Sequence, residues 1–263
     1  MSILAIDLGG TQIKSGLVSD DFQIQATFAP LSSPDNLPDC LVLLDGLIQP
    51  VRLQISGIAI SAPGTIDTDQ SIIYYRGTLP FLHEFMVRDY FAKTYGLPAT
   101  ALNDGKAAVL AELATGNLQG CQNAAALVLG TGLGGGLVLN GQLYQGSHFQ
   151  AGELTFLLPP KLAEIEIEEM RGVEVSAVGL IHRLAEVLGL ADKTDGRAVF
   201  QALSQKDQSI YPLFEDYCRY VALTILNLQT TLDLETFAIG GGISAQPLLL
   251  KEINRQFDRL KAE

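Results

Sequence analysis

One short pattern occurs twice and constrains this chain more than any other feature. The apolar run Ile3–Ile6 stops at Asp7-Leu8-Gly9-Gly10-Thr11, and Gly16-Leu17-Val18 follows. The run Ala124–Leu129 stops at Gly130-Thr131-Gly132-Leu133-Gly134-Gly135-Gly136, and Leu137-Val138 follows. Each copy predicts a strand, a glycine turn and a second strand. A strand rather than a helix after the turn fits a Rossmann fingerprint poorly, and no G-x-x-x-x-G-K-[S/T] run makes a Walker loop. The second copy has five glycines in seven residues. Such a stretch loses much chain entropy on folding, and close approach of backbone N–H groups to phosphate is a physical reason for it. A flexible hairpin loop is the alternative. Two such turns facing each other across a cleft would clamp phosphates.

The rest of the chain alternates strands with helices. Strands are expected at Gln23–Phe28, Gly57–Ser61, a pair within Thr65–Tyr75, Thr100–Leu102 and Thr236–Ile239. Helical spacing marks Asp39–Gln49, Phe81–Tyr95, Gly105–Thr115, residues near 176–189, 195–203 and 210–231, and Pro247–Leu260. Asn140-Gly141 is a tight hairpin signal. Strands lead and helices follow in both halves, so the class is α/β with two related domains, expected at 1–104 and 105–263.

Bulk composition narrows function by exclusion. Charged residues are 17% and apolar residues 48% of 263, enough for sizeable cores. The net charge of −12 repels nucleic-acid backbones, so no nucleic-acid partner is expected. A nucleotide site in so acidic a chain has to be local, built from backbone N–H groups and bound metal. Cys40, Cys121 and Cys218 are far apart and lack C-x-x-C spacing, which predicts reduced thiols and no zinc site. No apolar run approaches the ~20 residues of a membrane span, and no leader pattern opens the chain. A cytoplasmic location without membrane partners is expected.

Several residues carry candidate chemistry. Asp7 ends a strand, where α/β proteins place ligand sites, and can hold Mg²⁺ through water. Gly9 and Gly10 admit phosphate, with Thr11 as hydroxyl donor and Lys14 as charge. A plain hairpin with a structural Asp is equally compatible with these residues. Gly130, Thr131 and Gly132 are the matching donors of the second turn. Gly240-Gly241-Gly242 ends a strand and suits packing against a nucleobase or ribose, or serves as a helix entry turn. Asp104 follows Asn103 at a strand end; it is either an N-cap or a carboxylate placed to take a proton from a hydroxyl. Glu153 and Glu174 are candidates for binding polyol hydroxyls, or solvated charges.

Taken together these motifs resemble the ROK family of sugar kinases. The matching residues are Asp7-Leu8-Gly9-Gly10-Thr11-x-x-Lys14, Ala62-Pro63-Gly64, Asn103-Asp104, Gly130-Thr131-Gly132-x-Gly134-Gly135, Ala151-Gly152-Glu153 and Gly240-Gly241-Gly242-Ile243-Ser244. The resemblance covers roughly residues 3–245. It implies a two-domain actin-like ATPase (ribonuclease-H-like) fold with an interdomain cleft, and ATP-dependent phosphorylation of a hexose, usually at the 6-hydroxyl. By that likeness Asp104 is the general base. Gly64, Asn103, Glu153 and Glu174 lie by the sugar. Asp7 serves Mg²⁺, Gly9–Thr11 and Gly130–Gly132 clamp phosphates, and Gly241 and Gly242 lie by adenosine. The N-terminal domain then holds the first phosphate turn and the sugar, and the C-terminal domain holds the second turn and adenosine. A homodimer is also implied.

The chain departs from the family pattern in three ways. Phe156 stands where many members have the His of Glu-x-Gly-His. The cysteine-rich zinc loop is missing, and only Arg171-Gly172-Val173-Glu174 corresponds to its end. The C-terminus is short by a strand and a helix. A non-catalytic sugar-binding or regulatory protein on the same fold is the second expectation.

Overall fold

The structure is a computed structural model and describes residues 1–74, 78–157 and 176–262. Its chain forms two compact units. The first contains Met1–Ala107 and Gln145–Ala151, and the second contains Ala108–Tyr144 and Gly152–Glu263.

In the first unit, β1 (Ser2–Leu8) and β2 (Gln12–Val18) pair antiparallel around the first glycine turn. β3 (Ile24–Thr27) and the short β4 (Leu31–Ser32) both pair with β2. Asn36 caps α1 (Leu37–Ile48), its side chain accepting the Asp39 N–H at 3.0 Å. β5 (Ile55–Ala62) joins β1 in parallel. Strand alternation sends Leu4, Ile6 and Leu8 into one core with Cys40, Leu44 and Ile48 of α1. A small antiparallel sheet follows, from β6 (Thr65–Asp67), β7 (Ile72–Tyr74) and β8 (Phe85–Met86).

The helix expected over Phe81–Tyr95 is shorter. Pro80–Leu82 is a single 3-10 turn, Glu84 has φ +59°, and Phe85–Met86 is taken by β7. Only Val87–Tyr95 is helical, as α2, with Gly96 at φ +62° as its left-handed cap. Pairing with a neighbouring strand overrides local helical periodicity there. α2 buries Val87 and Phe91 completely, and Phe91 stacks on Tyr95 with centroids 5.9 Å apart. β9 (Ala99–Asn103) then pairs in parallel with β5.

α3 (Asp104–Thr115) carries the chain into the second unit. There β10 (Ala124–Leu129), β11 (Leu133–Leu139) and β12 (Gln142–Tyr144) form an antiparallel meander. Asn140 and Gly141, with φ of +55° and +72°, make its tight turn. Later in the chain come α4 (Ala177–Val187), α5 (Gly196–Ser204) and α6 (Tyr211–Leu232). β13 (Thr236–Gly241) pairs in parallel with β10, and α7 (Pro247–Ala262) closes the unit. Leu127 and Leu129 of β10 face a helical core with Leu184, Phe214, Val221 and Ile253. Ala124 and Ala126, of opposite parity, pack with Val109 and Leu118. Glu252 is buried on α7 and receives the Arg255 guanidinium, which also reaches Glu215 of α6.

The repeated sequence pattern is thus a repeated structure. In each unit an antiparallel pair surrounds a glycine turn, and its first strand is flanked by a parallel partner, β5 or β13. Among the described residues no helix is long and apolar enough to cross a membrane.

Phe91→Ala should destabilise the protein by about 3–5 kcal/mol, the usual cost of removing a fully buried ring. Asn36→Ala should cost about 1 kcal/mol through the lost cap. Urea unfolding of both variants measures the difference.

Candidate active site

In the first unit three parallel strands end side by side. The register pairs Asp7 of β1 with Ser61 of β5, and Ala62 of β5 with Asn103 of β9. Topology therefore sets Asp7 and Asn103-Asp104 at the same sheet edge, two strand spacings or about 10 Å apart. Ser61 Oγ donates to Asp7 Oδ1 at 2.5 Å. Lys14 sits opposite Asp7 on β2, with its side chain exposed.

The first glycine turn is braced from behind. The Gly9 N–H is used by the Gln12 carbonyl at 3.1 Å. Ser33 donates twice, from its N–H to the Thr11 carbonyl and from its hydroxyl to the Gly9 carbonyl at 2.6 Å. The N–H groups of Gly10 and Thr11 and the Thr11 hydroxyl make no hydrogen bond among the described residues. Gly10 is tightly packed. A Cβ built on it would stand 2.5 Å from Thr78 Oγ1.

Asn103 is 6% exposed and takes the capping position that Asp104 could have filled. Its Nδ2 donates to the Gly64 carbonyl at 3.0 Å, and its Oδ1 accepts the Lys106 N–H at 3.2 Å. That second bond spans three residues into the helix, as an N-cap does. Asn103 therefore caps α3, and Asp104 is left to present its carboxylate. Asp104 accepts the adjacent Gly105 N–H at 2.8 Å. Its side chain reaches solvent, yet enough protein crowds it that desolvation is the largest influence on its carboxyl. Desolvation raises its pKa above the ordinary 3.8, the Asp7 charge adds to the rise, and the Gly105 hydrogen bond partly opposes it.

In the second unit the glycines of the second turn divide by task. Gly130 donates its N–H to the Gly132 carbonyl at 3.0 Å, and its own carbonyl accepts the Ala177 N–H at 2.9 Å. The N-terminus of α4 thereby holds the turn. Thr131 is exposed at its tip. Gly135 and Gly136 serve packing instead. A Cβ on Gly135 would lie 2.8 Å from Leu154 Cδ1, and one on Gly152 would lie 2.6 Å from Gly136 Cα. Leu154–Phe156 is a 3-10 turn, and Thr155 Oγ1 accepts the Leu133 N–H at 3.0 Å. Glu153, half-buried at the head of that turn, is thus held against β11. Phe156, at 42% exposure, has much of its ring in solvent.

Gly241, at φ +101°, leaves no room for a side chain, since a Cβ would be 2.1 Å from the Leu129 carbonyl. Gly242 borders open space. Glu174 lies outside the described residues, as do Arg171–Val173. Sequence reading missed Ser33, Ser61, Thr155 and Ser176, the last of which caps α4 through the Gly179 N–H. Only Ser61 had a usable signal, a hydroxyl at a strand end beside Ala62-Pro63-Gly64.

Comparison with known proteins identifies the family. The sequence model of the ROK family matches residues 3–262. A β-glucoside kinase of Listeria monocytogenes is 27% identical over 98% of this chain and 88% of its own length. A glucokinase of Halalkalibacterium halodurans is 28% identical over 97% of this chain and 84% of its own. A ROK family protein from Streptococcus pneumoniae, solved in complex with sucrose, superposes with a TM-score of 0.84 at 30% identity, covering 99% of this chain and 87% of that one. The fold is the actin-like ATPase fold, and the chain belongs to the ROK family.

Proposed function

We propose that the protein is a sugar kinase that transfers the γ-phosphoryl group of ATP to a hexose or hexose derivative at its 6-hydroxyl, with Asp104 as general base. The observation that carries this reading is the release of Asp104 from capping by Asn103. A carboxylate at a strand end, raised in pKa by desolvation and further by the charge of Asp7, is a better proton acceptor near neutral pH than an ordinary Asp. Asp104 takes the hydroxyl proton as the sugar oxygen attacks. Asn103 keeps one amide hydrogen for that hydroxyl, and Glu153, Glu174 and Gly64 lie by the other sugar hydroxyls.

Donors suited to phosphate are supplied by Gly9–Thr11 with Lys14, and by Gly130–Gly132. Gly241 and Gly242 lie by adenosine. Phosphoryl transfer asks the protein for positioning and charge neutralisation, which this set provides. Asp7 fits Mg²⁺. It brings one carboxylate, steadied by the Ser61 hydroxyl, and this donor set suits an ion held mostly by water and phosphate oxygens. When bound, Mg²⁺ offsets phosphate charge. The N-terminal domain, 1–104, then serves the first phosphate turn and the reacting sugar hydroxyl, and the C-terminal domain, 105–263, carries the second phosphate turn, the adenosine side, Glu153 and Glu174. Three free cysteines, two of them buried, suit a reducing cytoplasm, and a homodimer belongs to the same reading.

Phe156 favours a substituted acceptor over plain glucose. An exposed ring follows Glu153 where a sugar-binding imidazole stands in many relatives. The β-glucoside kinases among the similar proteins make β-glucosides the first members of a test panel.

ADP release over a panel of β-glucosides, glucose, N-acetylmannosamine and fructose should show acceptor-dependent turnover with at least one sugar; none with any would sink the kinase reading. Asp104→Asn should lower kcat by about a hundredfold or more, the usual range for a lost general base.

The pH profile of kcat/KM should have an acidic limb whose midpoint lies above the ~3.9 of an ordinary Asp. A raised folded-state pKa means that ionising Asp104 costs stability, a cost absent below the unfolded pKa and present above the folded one. Asp104→Asn should therefore raise the melting temperature at pH 7, with the gain gone near pH 3.5.

Ser61→Ala should raise the Mg²⁺ concentration needed for half-maximal rate about tenfold, as for other lost outer partners of metal ligands. A magnesium titration at saturating sugar checks it.

A further inference from the structure

Lys106 is among the largest fully buried side chains in the protein, at 1% exposure. A lysine is almost never buried so deeply without a specific task for its charge. Too enclosed to meet a phosphate, it donates from Nζ to the Phe149 carbonyl at 2.5 Å. Its backbone N–H is the one that Asn103 caps. One residue thus joins the Asn103-Asp104 strand end to residues 145–151.

That segment is unusual in the chain. Gln145–Ala151 belongs to the first unit, although Tyr144 before it and Gly152 after it belong to the second. It is a strap tied to the rest of the first unit by the Lys106 ammonium on Phe149 and by Gln145 Nε2 on Thr68 Oγ1 at 2.6 Å. Phe149 has φ +56°, a left-handed conformation that a phenylalanine rarely adopts unless held. The strap ends two residues before Glu153.

We propose that Lys106 is a positioning residue for the acceptor sugar: by holding the Phe149 carbonyl it fixes the strap that delivers Glu153. This rests on the sugar-kinase reading above, in which Glu153 binds sugar hydroxyls. A loose strap weakens acceptor binding in ground state and transition state alike, which raises KM and spares kcat. ATP binding uses the glycine turns and is spared too.

The test compares wild type with Lys106→Met, which keeps most of the buried stem, and with Thr68→Val, which cuts the other tie. For Lys106→Met the sugar KM should rise about tenfold with kcat within about threefold and the ATP KM within about twofold. Thr68→Val should shift the sugar KM in the same direction by a smaller factor. Hydrogen exchange, read without substrate, should quicken at the amides of 145–151 and stay unchanged in β10 and β11. If Lys106→Met does not fold, Thr68→Val decides the matter by the same readouts. An unmoved sugar KM in every folded variant, or unchanged exchange at 145–151, overturns the proposal. Equal losses in both substrates' KM values would mark general destabilisation and overturn it as well. Wild-type protein without turnover on any sugar defeats the kinase reading instead, a result seen before any variant is made.

Discussion

The candidate site depends on how the carboxamide of Asn103 divides its two ends. Its nitrogen holds the Gly64 carbonyl, and its oxygen holds the first turn of α3. Both partners are backbone groups, and the buried Lys106 N–H would otherwise lack a bond, at a cost comparable to a lost hydrogen bond. An aspartate here could cap the helix but could not donate to Gly64. By doing both, Asn103 locks the loop after β5 to the end of β9, and the neighbouring Asp104 keeps its carboxylate for another use. Lys106, whose N–H completes the cap, sends its side chain inward to Phe149.

The two glycine turns look alike in sequence and differ in physics. The first is braced by serine donors on its carbonyls and has Asp7 and Lys14 beside it. The second is braced by a helix N-terminus on the Gly130 carbonyl and has no charged residue within it. Much of its glycine content concerns something other than phosphate. Gly135 and Gly136 are small because Leu154 and Gly152 press on them. The entropy lost in ordering so many glycines is offset by contacts made inside the protein, while Thr131 at the turn's tip stays exposed.

The doubled strand–turn–strand pattern, the α/β class, the positions of α3, α4, α5 and α6, and the Asn140-Gly141 hairpin were all legible in the chain. Each depends on local features: apolar runs, glycine clusters and turn residues whose effect acts within a few positions. The region from Phe81 to Met86 was not. Its periodicity is helical, but β7 offers unpaired backbone groups, and pairing with them decides its state. The hydroxyls of Ser33, Ser61 and Thr155 were invisible for a related reason, because each acts on a residue 22 or more positions away.

By itself the sequence determined which residues were available for chemistry: a carboxylate at each of two strand ends, glycine turns, and an Ala-Gly-Glu segment, in an order that carries the family resemblance. Tertiary structure decided which partners each of them meets. Whether Asp104 caps a helix or presents its charge was open until Asn103 was seen to accept the Lys106 N–H. Whether a glycine admits a ligand or a neighbouring side chain was open until Leu154 and Gly152 were seen against β11. Chain order specifies side chains and local conformation, but a hydrogen-bonding group has many possible partners, and only the folded packing selects one.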